Sequence, residues 1–402
     1  MSFYLFRKSI RKVPGIVIKA APLPDPALTE GFGSRDRVGE ICRKAGYKSV
    51  LLVTDQTLFS LGFHKKVEES LQKQNIRCAV FSDIASEPNV DIIEAGKEAA
   101  VACRADCIVA LGGGSVLDSS KIIAAAAKKP KENVGHFLHK FAVVKGKTLP
   151  MITIPSTAGT GAECTVGAVV KNAKGIKNST VVMGLNVVHV ILDSELMVGM
   201  PKNVTVWCGI DALSHGLEGL MADIKSDEED IRKSRECVRL TMENLPLLLN
   251  DPQNIEARQK MSLAAHYGGN AINKQLAGYV HAFAHSIGAL YHIPHGKAIA
   301  HCLIPITVAQ KNLCLDALAE LSVYCGLAKP SDDSSAAADK MIDALKQLLN
   351  QCGLEKGCSL IQKKDYSRLV RMIDNDSINY SPPKTFRDWE IEMLLDSIKG
   401  AN

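Results

Sequence analysis

Five residues in two short segments carry the strongest chemical signal in this 402-residue chain: Asp211 and His215 in GIDALSHGLEG, and His281, His285 and His295 in YVHAFAHSIGALYHIPHG. An i, i+4 step on a helix puts two side chains on one face, so Asp211/His215 and His281/His285 each form a donor pair. One carboxylate with several imidazoles suits a borderline divalent ion such as Fe²⁺ or Zn²⁺. Three or four such ligands leave room for a substrate oxygen. The competing reading makes these histidines helix caps or core residues. It fits each one singly, and fits the paired spacing beside a carboxylate far less well. The H-x-x-x-H step also belongs to zinc protease helices, where Glu follows the first His as general base. Here that position is Ala282, so hydrolysis lacks its base.

Three further segments have the residue types of a nucleotide site. ALGGGSVLDSSK (110–121) places three glycines after a strand, where backbone N–H groups and a helix N-terminus favour a phosphate; a plain turn is the other reading. It is neither a Walker A loop nor G-x-G-x-x-G. TIPSTAGTGAE (153–163) offers small and hydroxyl residues for a nucleotide groove, or a polar loop. Asp55 closes the apolar run SVLLVT. A carboxylate there can accept from ribose hydroxyls and repel a 2′-phosphate, or it can cap the helix that follows.

The elements that must position these residues follow from pattern. Apolar runs at 49–54, 78–83, 107–114, 148–155 and 188–193 alternate with helical stretches at 67–74 and 91–104, which is βαβ alternation and a mostly parallel sheet. After about Met200 the strand signal ends, and helices are expected at 211–222, 228–249, 255–272, 280–290, 313–321, 336–351 and 386–398. The expected fold is an α/β, Rossmann-like nucleotide-binding domain over 1–198 and an all-helical metal-binding domain over 199–402, with a cleft between them. Neither an internal repeat nor a low-complexity segment is present.

Composition excludes several classes. Hydrophobic residues make up 46% and charged residues 23%, ordinary for a soluble globular chain. The net charge of +5 is spread out, and no Lys/Arg run interleaved with aromatics speaks for nucleic acid. The basic stretch 121–140 reads as capping a solvated helix. Twelve cysteines show no CxxC pair, and Cys103 and Cys107, four apart at a helix end, read as packing. The segment MSFYLFRKSIRKVPGIVIK lacks the apolar core of a signal peptide, and no apolar run reaches 18 residues. A cytoplasmic protein without a membrane span is expected.

From about residue 20 to the end, the chain resembles the iron-containing (group III) alcohol dehydrogenases. The markers come in the family's order: VTDQTL, GGGSVLDSSK, PSTAGTGAE, LDSELMVGMP, GIDALSHGLEG and HAFAHSIGALYHIPHG. The resemblance implies that Asp211, His215, His281 and His295 are the metal ligands and that His285 lies near the nicotinamide as a proton relay. It implies NAD contacts from Gly113, Gly114, Ser115 and Asp118, from Ser156, Thr157, Ala158, Gly159 and Thr160, and from Lys177. Asp55 matches the ribose-binding acid of NAD-preferring members. Thr165, Gly167 and Ile272 would line the substrate pocket, and a homodimer is implied. Three features depart from the family pattern: Glu87 before Pro88, the proline-free MGLNVVHVILD, and NYSPPK (379–384), near Asp374 and Asp376, in place of Asn-Pro-Arg.

The implied reaction is interconversion of a small primary alcohol or diol and its aldehyde, with NAD and one Fe²⁺ or Zn²⁺. The alternatives are a metal- and NAD-dependent lyase of the dehydroquinate-synthase type and a non-catalytic nucleotide- and metal-binding protein.

Overall fold

The computed structural model describes residues 23–400 except 87, 139–140, 144–145, 172–176, 225 and 355–356, with only the backbone at 141, 143, 177 and 178. The expectations for the N-terminal segment, for Glu87 and for the Lys177 side chain lie outside the described residues. Two compact units divide between Gly199 and Met200.

The first unit runs β1 (Ala27–Glu30), α1 (Val38–Ala45), β2 (Ser49–Asp55), α2 (Gln56–Ser60), α3 (Phe63–Lys73), β3 (Arg77–Ile84), α4 (Val90–Ala102), β4 (Cys107–Gly112), α5 (Gly114–Ala127), β5 (Phe141–Val143), β6 (Met151–Pro155), β7 (Gly167–Lys171), β8 (Lys177–Met183) and β9 (Val187–Leu192). Six strands form one sheet in the order β1-β9-β6-β4-β2-β3, every pair parallel. Residues of β4 and β6 are buried throughout, as strands covered by helices on both faces must be. Val50, Leu52, Val109, Leu111, Ile152 and Ile154 pack with Val38 and Cys42 of α1 and Val67 and Leu71 of α3.

Two features of this unit were not legible in the pattern. Sheet edge β1 and the small sheet β5-β8-β7 were unanticipated; β7 and β8 pair antiparallel from Gly167↔Val181 to Lys171↔Lys177. The reading of 121–140 as a solvated helix cap is corrected at its first residue. Lys121 is fully buried in α5, and its ammonium donates to Asp118 Oδ1 (2.9 Å), Thr165 Oγ1 (3.1 Å) and the Gly167 carbonyl (2.6 Å). A buried ammonium is tolerable because these acceptors replace water. At the end of β9, buried Arg35 meets Asp193 at 2.8 Å and Glu195 at 3.2 Å, and Lys66 meets Glu195 at 2.9 Å.

The second unit is helical: α6 (Lys202–Met221), α7 (Glu228–Asn250), α8 (Ile255–Gln275), α9 (Tyr279–Tyr291), α10 (His295–Gln310), α11 (Leu315–Tyr324), α12 (Ser334–Gln351), α13 (Tyr366–Ser377) and α14 (Asp388–Lys399). Helix α6 starts at Lys202, not Asp211. Buried Val206, Ile210, Leu213 and Leu217 form one stripe along it, although the β-branched start of the segment obscures the helix. Helices α10 and α13 were unanticipated, and α10 contains Pro305. Among the described residues, no single helix is long and apolar enough to cross a membrane.

Candidate functional site

Helix α6 carries Asp211 and His215 one turn apart, both buried. Helix α9 supplies His281, and His295 is the first residue of α10. Close approach of α10 to α6 requires glycine beside His295. A Cβ on Gly296 would lie 2.1 Å from the Trp207 carbonyl oxygen, so any other residue would push the first turn of α10 off α6.

The four expected ligands converge on one carboxylate oxygen. Asp211 Oδ1 lies 3.6 Å from His215 Nε2, 3.6 Å from His281 Nε2 and 3.1 Å from His295 Nε2. The His215 and His281 rings stack at 4.7 Å. Asp211 Oδ1 and His281 Nε2 are both buried and make no hydrogen bond, a costly arrangement for polar atoms that nothing else occupies. Ligand bonds of about 2.0–2.2 Å in a tetrahedron put neighbouring donors about 3.3–3.6 Å apart. The Asp211–imidazole distances therefore suit one small divalent ion, and donor atoms of Asp211, His281 and His295 all lie within 4.8 Å of one another. Burial alone would raise the Asp211 pKa, but His215, His295 and His281 hold it well below the usual carboxylate range. His295 is 40% exposed, so one side of the cluster is open.

Glu218 was missed in the sequence reading. It is buried on α6, seven residues after Asp211 and on the same face. Its Oε2 faces His281 Nδ1, and its Oε1 accepts from the Val280 N–H at 2.7 Å. One carboxylate thus satisfies a first-turn donor of α9 and aims His281 Nε2 at Asp211. The i, i+4, i+7 row Asp211/His215/Glu218 was the available signal.

His285, one turn after His281, is 42% exposed. Its ring lies 5.0 Å from that of His295. Its Nδ1 is 2.8 Å from Asp376 Oδ2 and 3.0 Å from the Tyr380 hydroxyl. These partners stand 91 and 95 residues away in sequence, and no local pattern announces them.

The nucleotide-type residues gather at the carboxyl ends of strands. β2 leads through α2 and α3 to β3 on one side, whereas its neighbour β4 leads through α5 toward β6 on the other. Such a switch point opens a crevice for a dinucleotide. Asp55 ends β2, and the glycine turn ends β4. Gly113 is the N-cap of α5 and brings no side-chain cap; the Val116 N–H turns back to the Gly113 carbonyl, which leaves the Gly114 and Ser115 N–H groups open to an anion. A Cβ on Gly113 would meet only Thr157, at 3.5 Å, and one on Gly114 only Thr160, at 3.5 Å, so the two loops lie side by side. Ser156 follows β6 and donates its N–H to the Gly112 carbonyl at 3.0 Å; Ala158 and Gly159 are buried.

Other expected contacts have work within the fold. Asp55 Oδ1 accepts from the Leu58 N–H at 2.9 Å, so Asp55 does cap α2. Ser115 Oγ donates to the Ser86 carbonyl. Asp118 takes Lys121 on one oxygen and the Val169 N–H on the other. Thr165 and Gly167 meet at Lys121 in the first unit, and Ile272 lies on α8 in the second.

Residues 26–194 match the family model described as iron-containing alcohol dehydrogenase, and residues 205–398 match the C-terminal model of the Fe-containing alcohol dehydrogenase family. The chain is similar to 1,3-propanediol dehydrogenase of Klebsiella pneumoniae, 30% identical over 89% of this chain and 93% of the relative. It is similar to NAD-dependent methanol dehydrogenase of Bacillus methanolicus, 28% identical over 92% and 97%. Other curated relatives are longer, and the chain spans 40% of their length. A crystal structure of 1,3-propanediol oxidoreductase superimposes with a TM-score of 0.86 at 27% identity, covering 94% of this chain and 99% of that one. With both models together spanning nearly the whole chain, the protein belongs to the iron-containing alcohol dehydrogenase family.

Proposed function

We propose that the chain interconverts a small primary alcohol or diol and its aldehyde with NAD(H), at one divalent metal held by Asp211, His215, His281 and His295. The carrying observation is the convergence of three imidazole Nε2 atoms on Asp211 Oδ1 at 3.1–3.6 Å. A bound Fe²⁺ or Zn²⁺ supplies Lewis acidity toward a substrate oxygen, and NAD supplies the hydride acceptor.

The remaining work belongs to this chain's side chains. Asp211 contributes the one negative charge of the donor set. Glu218 fixes the Nδ1 side of His281, so that Nε2 faces the cluster. The exposed face of His295 leaves the site open to a substrate. His285, beside that open face, receives the hydroxyl proton of the alcohol and passes it to water. The α5 N-terminus and the loop from Ser156 to Thr160 receive the pyrophosphate, and Asp55 receives the ribose through the oxygen not engaged in its cap. The named relatives are dehydrogenases, and the lyase and non-catalytic readings gain no support from them. The proposed homodimer would appear as twice the chain mass in light scattering.

The test is an anaerobic screen of C2–C4 alcohols, diols and aldehydes after Fe²⁺ or Zn²⁺ reconstitution, with His281→Ala alongside. We expect turnover in the wild type and loss of both metal and turnover in the variant. Full metal content with a near-normal rate in His281→Ala would refute the ligand assignment.

A further inference from the structure

His285 is exposed, yet its orientation is tightly held. Asp376, near the end of α13, presents Oδ2 to Nδ1 at 2.8 Å. The Tyr380 hydroxyl donates to the same oxygen at 3.2 Å, and lies 3.0 Å from Nδ1. The three groups close a ring of contacts outside the metal cluster. An ionised carboxylate can only accept, so the imidazole proton must sit on Nδ1. A neutral ring protonated there carries its lone pair on Nε2, and no hydrogen bond engages that nitrogen among the described residues.

We propose that Asp376, supported by Tyr380, is a positioning residue that holds His285 in the Nδ1–H tautomer and presents a bare Nε2 to the alcohol hydroxyl. This rests on the reading of His285 as the proton-transfer residue. In oxidation, the electron pair of the carbinol C–H bond leaves with its hydrogen as hydride to the nicotinamide ring. The hydroxyl proton goes to Nε2 and then to water, and the C–O bond gains its second pair. In reduction each transfer reverses. With the tautomer inverted, Nε2 would present a hydrogen to the hydroxyl and could not accept from it.

Tyr380 suits the supporting part. Burial raises its pKa well above the usual tyrosine value, and the Asp376 carboxylate raises it further, so its hydroxyl keeps the proton it donates. The arrangement parallels the general logic by which a carboxylate orients an imidazole used for proton transfer.

The experiment uses full-length protein loaded with Zn²⁺, a diamagnetic ion. Nitrogen-15 spectra of labelled histidines, assigned by difference with His285→Gln, report the tautomer directly. We expect Nδ1–H in the wild type and in Asp376→Glu, and Nε2–H in Asp376→Ala. With 1,3-propanediol and NAD⁺, Asp376→Ala should lose about 10- to 100-fold in kcat at nearly unchanged KM and unchanged zinc content, with Asp376→Glu restoring most of it. Tyr380→Phe, which keeps the ring packing, should show a smaller loss in kcat. An Nε2–H tautomer in the wild type would overturn the proposal. So would an unchanged kcat in Asp376→Ala while His285→Gln is impaired. If His285→Gln itself keeps wild-type kcat, the relay reading fails and the positioning role falls with it, a result distinct from failure at Asp376 alone.

Discussion

Replacing Glu218 by Gln should weaken metal binding about 10- to 100-fold at alkaline pH, where His281 has lost its extra proton, although Glu218 is no ligand. In the structure its two oxygens serve two buried donors, His281 Nδ1–H and Val280 N–H. Gln has nearly the same shape but only one acceptor oxygen. Its NH₂ must then face one of the donors. If it faces His281, the ring is driven to carry its proton on Nε2, where the metal must bind. If it faces Val280, the first turn of α9 loses its acceptor. An unpaired buried donor costs about 1–3 kcal/mol, a factor of about 5 to 150 in a binding constant. Losses of 10- to 100-fold are typical when a partner of a metal-bound histidine is removed.

The assay is Zn²⁺ competition with a chromophoric chelator, with thermal melts with and without zinc. The pH dependence carries a second sign. Burial pulls the His281 pKa down, but Glu218 and Asp211 more than offset it and lift it to about 10. Metal binding near neutrality therefore displaces a proton, and wild-type affinity climbs with pH across the neutral range. Glu218→Gln should flatten that climb as well as lower the affinity at its alkaline end. Unchanged zinc affinity at alkaline pH in both Glu218→Gln and Glu218→Ala would refute the orienting role.

Asp55 both caps α2 and faces the proposed ribose site, so Asp55→Ser is the discriminating change: it keeps a capping oxygen and removes the charge. The NAD/NADP ratio of catalytic efficiencies should fall about ten-fold, equivalent to about 1.4 kcal/mol, and a ratio that does not move would leave Asp55 a helix cap alone. At Glu195, burial pushes the pKa up, but Lys66 and Arg35 more than reverse this and hold it below the ordinary glutamate value. A depressed folded-state pKa gives stability that is present above the unfolded value and lost as pH falls through the folded one. The melting-temperature gap between wild type and Glu195→Gln should be full at neutral pH and close under acid, where a gap that widens would contradict the ion-pair account. Solvent screening limits the gap to about 1 kcal/mol.

Local pattern carried the candidate donor residues and the switch from strands to helices because both arise from short-range geometry. The i, i+4 spacing of Asp211/His215 and His281/His285 is a property of one helix each, and alternating apolar runs announced the strands of the parallel sheet before Met200. Where local cues conflicted with the eventual structure, they misled. The β-branched residues of α6 hid its first turns, and Gly296 and Pro305 hid α10, because packing on neighbouring helices outweighed weak propensity. Lys121 read as a surface cation, yet acceptors from Thr165 and Gly167, more than forty residues on, join Asp118 in replacing its water.

Residue type and helical period already set which residues are candidates to bind a metal, bind an anion or accept a proton. Their protonation and orientation depend on neighbours that packing brings in from elsewhere in the chain. Glu218 and Val280 meet because the C-terminal part of α6 reaches the first turn of α9, and Asp376 and Tyr380 reach His285 because α13 packs against α9. The proton position on an imidazole depends on what faces its second nitrogen within about 3 Å. That neighbour comes from a distant part of the chain, and no linear spacing encodes it.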